Sequence, residues 1–157
     1  MQSRGAILGH EQTLSVEQQN FLREQRVARI ATLNRDGMPH MVPICFAFDG
    51  ESIYTTLGKD ARRLSNIARE SRVSIMVDRY EERNVEWTLL RGILMYGDVE
   101  VLDYENRREV FMKGWRLLIE KYPQYKHWAS EDLTPRDADR RRVMKFDLRG
   151  AVAWGFQ

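Results

Sequence analysis

Asn34-Arg35-Asp36-Gly37-Met38-Pro39-His40-Met41-Val42-Pro43-Ile44-Cys45-Phe46-Ala47-Phe48-Asp49-Gly50 carries two Asp-Gly pairs one strand length apart. Glycine supplies the positive φ that tight hairpins need, so this spacing predicts an antiparallel meander with turns at both pairs. Pro39 and Pro43 interrupt the intervening strand. Proline brings no backbone donor, so the strand must be an edge, be bulged, or face a ligand where a neighbouring strand would be. Upstream, Val27, Ala28, Ile30, Ala31 and Leu33 form a partly alternating apolar run, read as the first strand. Ser15 and Gln18 before it make a capping box for a short helix to about Gln25, with Val16, Phe21 and Leu22 as its apolar stripe. Residues 1–14 are read as an N-terminal arm and 15–157 as a single domain.

Downstream, Ser52 to Leu57 is a further strand, broken by Gly58-Lys59-Asp60. Asp60 is expected to cap a helix to about Glu70 with Leu64, Ile67 and Ala68 inward. Val73 to Val77 reads as a strand, Arg79 to Val85 as an exposed connection, and Trp87 to Leu102 as a long strand pair with bends at Gly92 and Gly97. Asp103 is expected to cap an amphipathic helix bearing Val110, Phe111, Gly114, Trp115, Leu118, Ile119 and Tyr122, which Pro123 ends. Residues 124–142 return over the surface with a helical turn near Pro135. Val143 to Leu148 and Ala151 to Phe156 close the chain as two strands around Arg149-Gly150. The sum is a mainly β (α+β) fold: a six- to seven-stranded antiparallel barrel with two to three helices, closure removing vulnerable sheet edges.

Composition narrows the function. The 157 residues are 43% hydrophobic and 31% charged, with a net charge of +2, so bulk charge gives no support to a nucleic-acid partner. No run approaches the length of a membrane-spanning helix, and the start lacks the apolar core of a secretory signal. One cysteine, Cys45, excludes an intramolecular disulfide framework. A cytoplasmic setting without membrane association is the expectation. His10, His40 and His127 show no metal-ligand spacing, and the nucleophile-elbow, P-loop and dinucleotide fingerprints are missing, so no metal is expected.

Two segments remain chemically informative. Lys59, Arg62 and Arg63 surround a predicted helix start, where backbone donors and a partial positive charge favour an anion; the plainer reading is a solvated helix face. Val42, Pro43 and Ile44 beside Tyr54, Thr55 and Thr56 offer a flat slot with hydroxyls at its rim; the plainer reading is an ordinary edge strand. Together they place a ring-compatible slot one loop from a phosphate-compatible helix start. Trp87, Arg91, Trp154 and Phe156 form a third group, suited to a core, a subunit interface or a pocket wall. No catalytic acid or base stands out.

The ordered series Arg29-Ile30-Ala31-Thr32, Asp36-Gly37-Met38-Pro39-His40, Val42-Pro43-Ile44, Asp49-Gly50, Ile53-Tyr54-Thr55-Thr56, Asn66-Ile67 and Arg72-Val73-Ser74 resembles the pyridoxamine 5'-phosphate oxidase-like, FMN-binding split barrels. It is most similar to the branch assigned to the deazaflavin coenzyme F420. The resemblance implies a homodimer with FMN or F420 at the subunit interface, each cofactor touched by both chains. It places the ring along Val42 to Ile44, polar contacts near Tyr54 to Thr56, and the phosphate against Lys59 and Arg63. Ser65 stands where relatives often carry a second basic residue, with Arg62 as the substitute. Trp87 and Arg91 match a region near the family's pocket, and Trp154 a C-terminal aromatic that approaches the partner's site. Hydride transfer to or from a small molecule is the implied activity. A flavin- or haem-binding carrier or sensor, and a structural dimer with an empty pocket, are the other readings.

Overall fold

The computed structural model describes residues 13–80, 90–127 and 138–156. The arm up to residue 12, most of the expected connection together with Trp87, and the turn expected near Pro135 lie outside them. The elements run α1 (Val16–Glu24), β1 (Val27–Leu33), β2 (Pro39–Cys45), β3 (Ala47–Phe48), β4 (Ser52–Gly58), α2 (Arg62–Arg69), β5 (Arg72–Tyr80), β6 (Leu90–Leu102), α3 (Arg108–Lys121), a 3-10 turn (Pro123–His127) and β7 (Arg141–Trp154). All ladders are antiparallel. The split-barrel class expected from the sequence is the observed one.

The meander is present, with Gly37 and Gly50 at φ 82° and 109°. The stretch read as one strand, however, is two. In the sheet order β2-β1-β5-β6-β7-β4-β3, strands β2 and β3 occupy opposite edges. Only Phe46 separates them in the chain, so the seven-stranded sheet must curl until its edges nearly meet. The Tyr122 hydroxyl pins this corner: it accepts the Phe46 N–H at 2.9 Å and lies 2.7 Å from the Arg26 carbonyl and 2.8 Å from that of Phe46. Burial pushes the Tyr122 pKa up to about 12, so the hydroxyl keeps the proton this bonding requires. Across the closure the Thr55 hydroxyl donates to the Cys45 carbonyl at 2.7 Å. Along the rest of β2 no ladder joins it to β4 among the described residues, which leaves the barrel split.

The prolines fit this edge. Asn34 N–H donates to the Met38 carbonyl, and antiparallel pairs alternate between bonded and non-bonded, so residues 40, 42 and 44 share bonds with β1. Residues 39 and 43 then direct their backbone nitrogens to the open side, where a missing donor costs nothing.

Several local expectations differ, among them the strand pair expected over Trp87 to Leu102, which in the described residues is the single strand β6. The N-cap of α2 is Ala61, without a side-chain cap; Asp60 sits one residue early, in the turn closed by the Ala61 N–H to the Gly58 carbonyl. The N-cap of α3 is Arg107, while Asp103 accepts from Asn106 in the preceding turn. The C-terminal pair of strands is one strand, β7, whose ladder with β6 steps from Tyr96↔Gly150 to Gly97↔Leu148 and bulges out Arg149. The capping box on α1 is as expected, with Phe21 and Leu22 buried, although Val16 is exposed. Ala68 likewise faces out, and Asn66 takes the buried place beside Ile67.

The barrel interior gathers Ala28, Ile30, Ile44, Ile53, Leu57, Ile75, Val77, Ile93, Met95 and Phe146. A second cluster lies between α3 and the outside of β4 and β7, around Tyr54, Phe111, Trp115 and Val143. Gly114 makes that contact possible, because a Cβ there would fall 2.6 Å from the Tyr54 ring. Among the described residues no helix is long and apolar enough to cross a membrane.

Candidate functional site

Helix α2 follows β4 beside the split, with Ala61, Leu64 and Val42 of β2 all resting on the barrel core. Its orientation is fixed by buried Asn66, whose amide reaches the Thr32 hydroxyl at 3.0 Å and the Asn34 side chain at 3.3 Å. Arg69 adds bonds to the Leu33 carbonyl and to the Asn66 side chain, both at 2.9 Å. Asn66 entered the sequence reading only through the resemblance; its role as the tether to β1 depends on partners more than thirty residues away.

The three basic residues at the start of α2 have different fates. Lys59 pairs with Asp139 at 3.4 Å and remains largely exposed. Arg62 is exposed. Arg63 turns inward: its Nη1 is buried and has no hydrogen-bond partner among the described residues, and burial pushes its pKa down. An unpaired buried donor costs about 1–3 kcal/mol, and more when charged, so this guanidinium lacks the partner that its burial calls for. The helix supports that electrostatically, since its first turn holds no acidic residue and no side chain caps it. Beside the helix start a cleft of about 710 Å³ is lined by Gly58, Lys59, Asp60, Ala61, Asp139 and Arg140; Arg63 is not part of that lining.

The slot is different from its sequence reading. Pro43 is exposed on the open edge, Val42 is half-buried and Ile44 is buried. The hydroxyls expected at the rim are all engaged within the chain. Tyr54 bonds Asp49 at 3.2 Å beneath α3, Thr55 bonds Cys45, and Thr56 bonds the Arg142 carbonyl at 3.1 Å. What faces the open edge is the backbone of β2, not a row of free hydroxyls.

Arg91 and Trp154 lie elsewhere. Gly58 pairs with Arg141 at the start of β7 and Gly92 pairs with Trp154 at its end. The two groups therefore lie toward opposite ends of the 14-residue β7. Arg91 binds Glu17 at 3.2 Å and stacks 5.8 Å from the Phe156 ring, while the Trp154 Nε1 is buried and unpartnered among the described residues. The structure therefore brings Lys59, Arg62 and Arg63 together at one end of the barrel and Arg91 with Trp154 at the other. Among the described residues no cluster of His, Cys, Asp or Glu is arranged to hold a metal ion.

Sequence reasoning missed two polar hubs. Asp49 accepts from Glu51, Ser52 and Tyr54 and pairs with Lys113 at 2.5 Å, tying the second hairpin turn to α3. Burial pushes the Asp49 pKa up, but Lys113 and the backbone donors of Ser52 and Glu51 more than offset that and hold it below the usual carboxylate value. Lys121 sits 4.0 Å over the Phe46 ring, half-buried, and burial with neighbouring Arg26 pushes its pKa down to about 8. Asp49 was legible as a turn residue; nothing local in the sequence marks its bond to Lys113.

The sequence family described as pyridoxamine 5'-phosphate oxidase matches residues 14–155. A 5a,11a-dehydrotetracycline/5a,11a-dehydrooxytetracycline reductase of Streptomyces rimosus is 33% identical over 86 residues, covering 52% of this chain and 59% of that protein. A conserved hypothetical protein of Mycobacterium tuberculosis shares the fold with a TM-score of 0.70 at 21% identity, over 98% of this chain and 89% of that one. An F420 reductase shares it with a TM-score of 0.60 at 20% identity, over 85% and 94% of the two chains.

Proposed function

The chain belongs to the pyridoxamine 5'-phosphate oxidase family, and from that premise we propose that it is an oxidoreductase using a flavin-type cofactor, FMN or F420, to transfer hydride to or from a small molecule. The observation that carries this reading is the buried, unpaired Nη1 of Arg63 at an uncapped helix start. A cofactor of this class fits the site because its phosphate supplies the anion that Arg63 lacks. Arg63 would bind that phosphate, Arg62 and Lys59 would add charge from the solvent side, and Val42 to Ile44 would present the proline-broken edge to the ring. Tyr54 to Thr56 would shape the site through their backbone. The bound group supplies the hydride chemistry; the protein orients it, anchors its charged end and excludes water.

A second copy of the chain completes the proposal. Arg91 and Trp154 lie toward the opposite end of β7 from the basic cluster, which supports a site in which each end is supplied by a different chain. The outward face of β1 and β2 supports this, with Val27, Leu33 and Met41 exposed and Ala31 in register with Ser74, the cross-strand partner of exposed Tyr96. Trp87 belongs to the same proposed wall by resemblance alone.

A flavin- or haem-binding carrier without turnover is the second reading. It draws on the sequence, in which no catalytic acid or base stands out. One experiment separates these readings. Purified protein is titrated with FMN and with F420, then assayed for hydride transfer, with 5a,11a-dehydrotetracycline as the first acceptor. Binding with steady turnover supports the oxidoreductase, binding with none supports the carrier, and no binding of either cofactor below millimolar concentration rejects the oxidoreductase and the flavin carrier, with a parallel haem titration deciding the haem carrier.

A further inference from the structure

Trp154 rests on a glycine. Its cross-strand partner on β6 is Gly92, and a Cβ built there would fall 2.2 Å from the indole Cζ2 and 2.6 Å from Cε2. The ring therefore occupies the space where a side chain of residue 92 would stand, an arrangement in which an aromatic covers the backbone that glycine leaves bare. No polar bond holds the ring there, since its Nε1 has no partner among the described residues. Packing, not a hydrogen bond, keeps it there. The chain beyond Trp154 is equally confined: Gly155 takes φ 75°, and a Cβ there would fall 2.7 Å from the Leu90 carbonyl and 2.9 Å from Cγ of Arg91.

We propose that Gly92 is a positioning residue: its missing side chain is the seat that holds the Trp154 indole flat against the outer face of the sheet, and so sets the wall that Trp154 presents to a bound cofactor. The wall role rests on the function proposed above; the seat does not. A side chain at residue 92 meets the far end of a rotatable side chain rather than backbone, so the indole yields and the sheet stays.

The test begins without cofactor, on the full chain carrying Gly92→Ala. Trp154 emission is isolated by subtracting spectra recorded in a Trp154→Phe background, which retains Trp87, Trp115 and Trp128. The expected result is red-shifted Trp154 emission and stronger acrylamide quenching, with far-ultraviolet circular dichroism unchanged. Whichever cofactor the wild type binds should then bind roughly tenfold more weakly, the scale of one lost aromatic contact, and this loss should vanish when Trp154 is already Phe. Unchanged Trp154 emission and quenching in folded Gly92→Ala overturns the proposal. So does a displaced indole with unaltered cofactor affinity, or the same loss in both backgrounds. Should Gly92→Ala fail to fold, the double variant with Trp154→Ala should fold; if it also fails, residue 92 matters for another reason and the seat is rejected. A wild type that binds neither cofactor rejects the wall role together with the proposed function, while the fluorescence still judges the seat.

Discussion

Replacing Arg63 with Met should make the cofactor-free protein more stable while weakening it as a binder. Methionine keeps an unbranched apolar stem, shorter than that of arginine, and removes the buried charged donor, whose Nη1 has no partner among the described residues. An unsatisfied buried donor costs about 1–3 kcal/mol, and the half-buried side chain argues for the lower part of that range, so a gain of about 1–2 kcal/mol is expected. For a domain of this size that is about 2–8 °C in the melting temperature. Binding should move the other way. Loss of charge-assisted hydrogen bonds to a phosphate, about 1.5–3 kcal/mol, raises Kd by roughly 10- to 150-fold. The assay is thermal unfolding of cofactor-stripped protein beside FMN and F420 titrations, with exposed Arg116→Glu on α3 as the control for charge. If Arg63→Met is no more stable than wild type without cofactor and binds as well with it, then the orphaned guanidinium is neither a strained group nor an anion site. A rise in stability with unchanged binding would keep the strain and discard the anchor.

Three further outcomes follow from the polar contacts. Tyr122→Phe removes the acceptor for the buried Phe46 N–H and should cost about 2 kcal/mol, read as a drop of about 4–8 °C in melting temperature. An unchanged midpoint would mean the barrel corner holds without that hydroxyl. The folded-state pKa of Asp49 lies below its unfolded value, so its contribution is present above the unfolded pKa of about 4 and is lost as pH falls through the folded one. Asp49→Asn should therefore flatten the acid limb of the stability profile, and a limb as steep as wild type would contradict this. Lys121 binds its proton less tightly folded than unfolded, so stability from this group should rise with pH between about 8 and 10.5. Solvent screening of a partly exposed side chain cuts the expected rise to about 1–2 kcal/mol, which Lys121→Met should remove in denaturant titrations across that range. A wild-type profile retained in the variant would show that other groups produce it.

What the sequence revealed and what it concealed divide along the distance between partners. The turns at Asp36-Gly37 and Asp49-Gly50 and the capping box at Ser15 are settled by residues within a few positions, and they stand as read. The break at Phe46 has no local mark: Cys45, Phe46 and Ala47 continue the apolar run, and the residue that holds the corner is Tyr122, far along the chain. The same holds at the site. The basic cluster at Lys59, Arg62 and Arg63 was visible as composition. Which member lacks a partner depends on Asp139 taking Lys59 and on α2 turning Arg63 inward, both products of packing. The Tyr54 to Thr56 hydroxyls show the converse, since polar side chains next to a candidate slot can be taken by Asp49, Cys45 and Arg142. Asp60 and Asp103 favour turns as readily as helix caps, and both stand in the turn before the helix instead.

The single residue between β2 and β3 also orders events as the chain leaves the ribosome. The first two hairpins can form once residue 58 has emerged, yet β4 finds its long partner only when residues 141–154 arrive, and the tyrosine that clamps the bend comes only at 122. Until then β4 is a bare edge on a growing polypeptide, open to pairing with a neighbouring nascent chain, while β2 stays an edge in the finished sheet. Slow closure by long-range contacts is the expected kinetic signature, and the proline-bearing edge, poor in donors, is the feature that keeps such premature partners away.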